Sequence, residues 1–158
     1  MFQIGDRVVH PMHGGGILES IVEKKVDGTV REYYVMKLPN RSMVVLIPVQ
    51  GCAEVGIRPV MSPEQADSVL LTIPELDVSM TSNWNHRYRE NMDRLKSGDL
   101  IEVARVIKGL TVRDGKRGLS TGERKMLHSA KQILISELVL SKDVSYEAAE
   151  EALNAALV

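Results

Sequence analysis

The chain has 158 residues, 44% of them hydrophobic and 26% charged, which is ordinary for a globular protein able to bury a core. Its single cysteine, Cys52, excludes an intramolecular disulfide, and no apolar stretch approaches membrane-spanning length, so a soluble, cytoplasmic protein is expected. The formal charge of −1 conceals a segregation: residues 83–131 hold 12 Lys/Arg against 6 Asp/Glu, and the segments on either side are net acidic.

Residues 1–58 read as β structure. Arg7-Val8-Val9-His10 is a short strand, and Pro11 with the run Gly14-Gly15-Gly16 is expected to break it at a tight corner. Ile17 to Lys25 resumes a strand. Asp27-Gly28 then stands between two strand-like runs, a two-residue hairpin signal because both turn positions favour positive φ. Arg31–Leu38 and Ser42–Pro48 follow, separated by a turn at Pro39-Asn40-Arg41. Four or five short strands in this length predict a small, strongly bent sheet or barrel of the Tudor or SH3-like kind. Strand residues alternate faces, so Met43, Val45 and Ile47 line one side while Val44, Leu46 and Pro48 line the other. A small barrel buries one face; the second either packs on the rest of the chain or serves a partner. Pro48, which cannot donate to a neighbouring strand, favours an edge.

From Ser62 the period changes from 2 to about 3.6, and the chain becomes helical. Ser62-Pro63-Glu64-Gln65 reads as a cap, a first-turn proline and a capping box, with Ala66, Val69, Leu70 and Ile73 on one face and Pro74 as the stop. A second helix is expected from Ser82 or Asn83 to near Gly98. A third starts at Asp99, with Leu100, Val103, Ala104 and Ile107 inward. The longest is capped by Ser120 with Glu123 and turns Leu127, Ala130, Leu134 and Leu138 inward. Ser145 caps an alanine-rich last helix. The fold class is therefore α+β, with a β domain over residues 1–58 and an all-α domain over residues 62–158.

Catalytic signatures are absent. The triple glycine is not followed by the Lys-Ser/Thr of a phosphate loop, and His10 with His13 lacks the further ligands of a zinc site, so neither enzyme chemistry, a metal nor a cofactor is expected. The sole tryptophan, Trp84, admits two readings. Trp84, Tyr88, Met92 and Leu95 share one helical face, which makes the indole a core residue. Alternatively, a first-turn tryptophan among His86, Arg87 and Arg89, with Lys116, Arg117 and Lys125 arriving from later elements, fits the DNA minor groove. There cations neutralise phosphates and an apolar wedge unstacks a base step.

The opening Ile4-Gly5-Asp6-Arg7-Val8-Val9-His10-Pro11-Met12-His13-Gly14, the later Glu32-Tyr33-Tyr34-Val35, and the stretch from Asn83-Trp84 through Arg117-Gly118-Leu119-Ser120-Thr121-Gly122-Glu123-Arg124 resemble the CarD/CdnL family of bacterial transcription regulators. The likeness runs from the first residues to near Ser141 and is specific, because two domains match in order. The amino-terminal part is also similar to the polymerase-interaction module of the transcription-repair coupling factor, although the chain has no nucleotide loop. The resemblance implies a Tudor-like domain that binds a lobe of the RNA polymerase β subunit, and a helical domain that contacts promoter DNA without sequence preference at the upstream edge of the melted region. It implies stabilisation of the open promoter complex by a monomer away from membranes. On this likeness Trp84 matches the wedge, with His86, Arg87, Arg89, Met92 and Lys125 as further DNA-side residues; Val44, Val45, Leu46, Ile47 and Pro48 match the docking strand, with Lys24 nearby. The chain departs from the family pattern at His86, where arginine is common, and at Leu46, a docking position that is basic in some relatives.

Overall fold

The computed structural model describes residues 2–39 and 41–158, so the turn expected at Pro39-Asn40-Arg41 lies partly outside the described residues. Strands β1 (Arg7–His10), β2 (Gly14–Val26), β3 (Thr29–Lys37), β4 (Val44–Pro48) and β5 (Arg58–Pro59) form one antiparallel sheet in the order β4-β3-β2-β1-β5. A short helix α1 (Cys52–Val55) precedes β5. The hairpin between β2 and β3 turns at Asp27 (φ 50°) and Gly28 (φ 79°), with Val26 opposite Thr29, as the Asp-Gly pair requires. Val8, Leu18, Tyr34, Met36 and Ile47 fill the inner face. The architecture is α+β, a Tudor-like β part followed by a helical part.

The helices are α2 (Pro63–Thr72), continued by a 3-10 turn (Ile73–Glu75) that contains Pro74, then α3 (Trp84–Lys96), α4 (Leu100–Arg117), α5 (Thr121–Lys142) and α6 (Tyr146–Leu157). Each starts on a side-chain cap. Ser62 with Gln65 and Ser120 with Glu123 form full capping boxes, while Asn83, Asp99 and Ser145 accept first-turn N–H groups. Val103, Ala104, Ile107 and Leu110 of α4 pack against Ala130, Leu134 and Leu138 of α5. Leu127 and Leu100, expected inward, are only half-buried.

One expectation was wrong and its failure is informative. Gly14, Gly15 and Gly16 do not break the strand; they are the first three residues of β2, paired with His10, Val9 and Val8. Gly14 and Gly15 lie directly on α5, whereas a Cβ on Gly16 would meet Met36 and the Lys37 carbonyl of β3. A Cβ on Gly14, whose φ is +87°, would come within 2.8 Å of the Ile133 Cα, and one on Gly15 would press on the backbone at Ser136 and Glu137. The close approach lets the Gly15 N–H donate to Ser136 Oγ at 2.8 Å. Beside it, Arg58 of β5 holds Glu137 of α5 through two bonds of 2.7 and 2.9 Å, the Met61 N–H donates to the same carboxylate at 2.9 Å, and Arg7 donates to the Leu140 carbonyl at 2.6 Å. Glu137 is 0% exposed. Helix α5 thus belongs to both halves of the molecule.

Candidate nucleic-acid interface and docking edge

Trp84 is the first residue of α3 and 43% of its surface is exposed, so it is not a core residue despite its helical phase. Nor is it loose. Its ring stacks on Tyr88, one turn along, with centroids 5.1 Å apart and planes 18° from parallel. Its indole N–H donates to Ser120 Oγ at 2.9 Å. Gly122, in the first turn of α5, lies beneath the pair: a Cβ there would sit 3.6 Å from the Tyr88 ring and 3.7 Å from the Trp84 ring.

The basic side chains around Trp84 divide into three kinds. Arg89 and Lys125 are exposed and free of ion pairs among the described residues. His86 is exposed, but its Nε2 faces Glu90 at 2.6 Å. Arg87 departs from the expectation. It is 2% exposed, its Nε and Nη2 meet the Glu123 carboxylate at 2.8 and 3.2 Å, and Nη1 donates to the carbonyls of Thr81 and Ser82. The reason is geometric: residues i and i+3 of a helix lie on neighbouring flanks, so with Trp84 at the rim Arg87 is turned toward α5. Its hydrogen bonds hold the Glu123 carboxyl below the usual carboxylate range, against the opposing effect of burial. Arg87 is therefore turned away from solvent and holds Glu123, whose Oε1 accepts from the Ser120 hydroxyl. Met92 is half-buried against the helical core and is likewise no surface contact.

At the other end of the molecule β4 is an edge strand, pairing only with β3 among the described residues. Val44, Leu46 and Pro48 are exposed, so the face with no evident use in the small core is not covered by the rest of the chain. Val45 and Ile47 point the other way, and Ile47 is buried in the core; these two expected docking residues shape the strand without facing outward. The register sets Val44, Leu46 and Pro48 opposite Lys37, Val35 and Tyr33, and Lys24 opposite Arg31. An apolar patch of Leu46, Val35, Tyr33 and Pro48 thus continues into two exposed cations, Lys24 and Arg31, along the hairpin arm.

His10 and His13 face each other with ring centroids 4.7 Å apart, and burial favours the neutral form of both. The described residues contain no group of three or more metal-ligating side chains. No helix among them is long and apolar enough to cross a membrane.

With both ends of the molecule located, the comparison with known proteins is decisive. A family model of the CarD-like/TRCF RID domain matches residues 2–61, and the CarD C-terminal domain matches residues 68–154. This chain belongs to the CarD family. The protein YdeB of Bacillus subtilis (strain 168), described as a candidate transcription factor, is 35% identical over 145 residues that span 92% of this chain and 95% of that protein. In this CarD-family chain the first match contains β4 and its apolar outer face, and the second contains Trp84 and both helices that seat it.

The residues that the sequence did not single out are of two kinds, those that hold Trp84 and those that extend the exposed surfaces. Ser120 and Glu123 were legible as a capping box, but nothing near them in sequence says that the same atoms hold Trp84 and Arg87. Tyr33 and Val35 extend the apolar face of β4, and their signal was the strand alternation of β3 combined with its pairing to β4. Arg124, exposed beside Lys125, adds a further cation at the start of α5.

Proposed function

We propose that this member of a CarD-like transcription factor family docks on the RNA polymerase β subunit through the β4 edge and its apolar face. From there it applies Trp84 to promoter DNA at the upstream edge of the melted region, stabilising the open complex without reading bases. The observation that carries this reading is the state of Trp84, a large aromatic side chain left exposed yet held by Tyr88 and Ser120, with Arg89, Arg124 and Lys125 exposed nearby on α3 and α5.

The energetics support a division of labour. With so few exposed cations near the indole, free duplex would be held weakly at physiological salt. Wedging also costs on the order of a few kcal/mol of unstacking. Docking on polymerase makes the DNA contact effectively intramolecular, at roughly millimolar local concentration. If Trp84 fits the distorted junction better than closed duplex, about 1.4 kcal/mol of difference shifts the closed–open equilibrium tenfold. The seam along α5 serves this scheme, because a fixed spacing between docking strand and indole is what turns tethering into a defined pose.

The test is the lifetime of open promoter complexes formed by polymerase from the same source, without the protein, with it, and with Trp84→Ala. The protein is expected to lengthen the lifetime, and the variant to bind polymerase without doing so. An unchanged lifetime with both, despite binding, would discard the wedge. A second reading, an adaptor whose helical part binds another protein through Trp84, is favoured by one observation: Arg87 spends its charge on Glu123, and the His86 ring is engaged by Glu90. Absence of salt-dependent DNA binding in the unaltered protein, with Arg89→Glu changing nothing, would select it.

A further inference from the structure

Trp84 is held by a chain of polar contacts that spans two helices. Arg87 anchors both oxygens of Glu123; Glu123 Oε1 in turn accepts from the Ser120 hydroxyl at 3.2 Å; and that hydroxyl oxygen accepts from the Glu123 N–H at 3.2 Å and from the Trp84 indole at 2.9 Å. A serine needs only one of these bonds to cap a helix. With its hydroxyl proton committed to Glu123, the Ser120 oxygen has its lone pairs turned toward donors, and the exposed indole supplies one. We propose that Ser120 is a positioning residue for Trp84, locked by the buried Arg87–Glu123 pair, so that the indole is already in its working pose before it meets any partner.

The physical case rests on the cost of ordering. An exposed aromatic side chain samples several rotamers, and fixing it on binding is paid from the interaction itself. Here Tyr88 restrains one face and Ser120 restrains the ring's polar edge, leaving the remaining surface open. This inference deepens the wedge reading and rests on it for its functional consequence, but the pose itself can be tested in the free protein.

Because Trp84 is the sole tryptophan, its indole N–H gives a single resonance and its fluorescence is unmixed. In the unaltered protein the indole N–H should exchange with solvent about tenfold more slowly than in a peptide. Exchange at the peptide rate would overturn the proposal without any variant being made. Ser120→Gly keeps most of the capping, since glycine at an N-cap costs only about a few tenths of a kcal/mol relative to serine, and should roughly double the acrylamide quenching of Trp84 and lower its anisotropy. Ser120→Thr, which keeps the oxygen, should restore both. Quenching and anisotropy unchanged in Ser120→Gly would also sink the proposal.

The functional arm is a cycle on open-complex lifetime. Ser120→Gly should reduce the protein's effect by about 2- to 10-fold, the range for one hydrogen bond, while in a Trp84→Phe background, which has no N–H, it should add nothing further. An equal loss in both backgrounds would assign Ser120 to helix capping alone. If the unaltered protein does not affect the lifetime, the wedge reading fails, and the exchange and quenching results still decide whether Ser120 sets the pose.

Discussion

Two arginine–glutamate pairs stand on α5, roughly 20 Å apart at about 1.5 Å of rise per residue, and they do different things with the same chemistry. Arg87–Glu123 joins α3 to the first turn of α5, and both side chains are 2% exposed. Arg58–Glu137 joins β5 to the later part of α5, with Glu137 sealed and the Arg58 side chain 31% exposed. The first pair joins two helices beside an exposed side chain. The second joins the sheet to α5. Burial decides how each fails: an orphaned Glu123 has no route to water, whereas an orphaned Arg58 can turn outward. A buried pair is also a weak source of net stability compared with apolar packing, which is consistent with both being placed where geometry matters.

That contrast can be broken most forcefully at Arg87. Arg87→Met should cost about 3–5 kcal/mol, the range for leaving a buried partner charge uncompensated, read as a loss in urea midpoint together with a change in Trp84 emission. Adding Glu123→Gln to it should recover part of that loss, because the remaining buried group is then neutral. A loss from Arg87→Met below about 1 kcal/mol would mean that the pair behaves as a surface bridge.

Glu137→Gln should cost less, about 2 kcal/mol, since Arg58 can rehydrate while the amide oxygen still accepts from the Met61 N–H. Its signature should lie elsewhere: unchanged Trp84 emission, but faster hydrogen exchange of the Gly15 N–H at the seam. Equal perturbation of the indole by both variants would show that the two pairs act as one unit.

Acid should weaken the Arg87–Glu123 pair by a smaller margin. The Glu123 carboxyl is held below its ordinary value of 4.5, first by the Arg87 hydrogen bonds. The folded state therefore binds fewer protons there than the unfolded chain. The stabilisation is complete above the ordinary value and is lost as pH falls toward the lower folded one. Between about pH 5 and pH 3 the unaltered protein should lose stability more steeply than Arg87→Met; parallel slopes would contradict the assignment. Smallest of all in stability is Arg89→Glu, expected within about 0.5 kcal/mol at this exposed position, although it should abolish salt-sensitive DNA binding. A loss of folding on Arg89→Glu would place Arg89 with Arg87 among the structural cations.

How far each of these residues could be understood from the chain depends on the distance over which its physics acts. The capping boxes at Ser62 and Ser120, the cap at Asn83 and the Asp27-Gly28 hairpin were all legible, because a cap or a two-residue turn is decided by atoms within three residues of one another. The faces of β4 were legible too, through strict alternation, but whether the outer one was covered was not. For Trp84 helical phase and the surrounding charge pointed opposite ways, and the structure follows the exposed reading; for Arg87 the surrounding charge pointed outward, and the structure buries the side chain.

By itself, then, the amino-acid sequence determined the two kinds of structure, their order, the starts of the helices and the concentration of positive charge after Ser82, since each follows from short-range geometry or from counting. Only the tertiary structure decided that Arg87 is an internal strut and that Ser120 holds the indole, contacts made across 36 residues, and that Glu137 locks Arg58 across 79. It also decided that Gly14 and Gly15 are a seam rather than a corner. A glycine, a glutamate or an arginine carries the same local signal whether it faces water or another helix, and its role is set by what the fold brings against it.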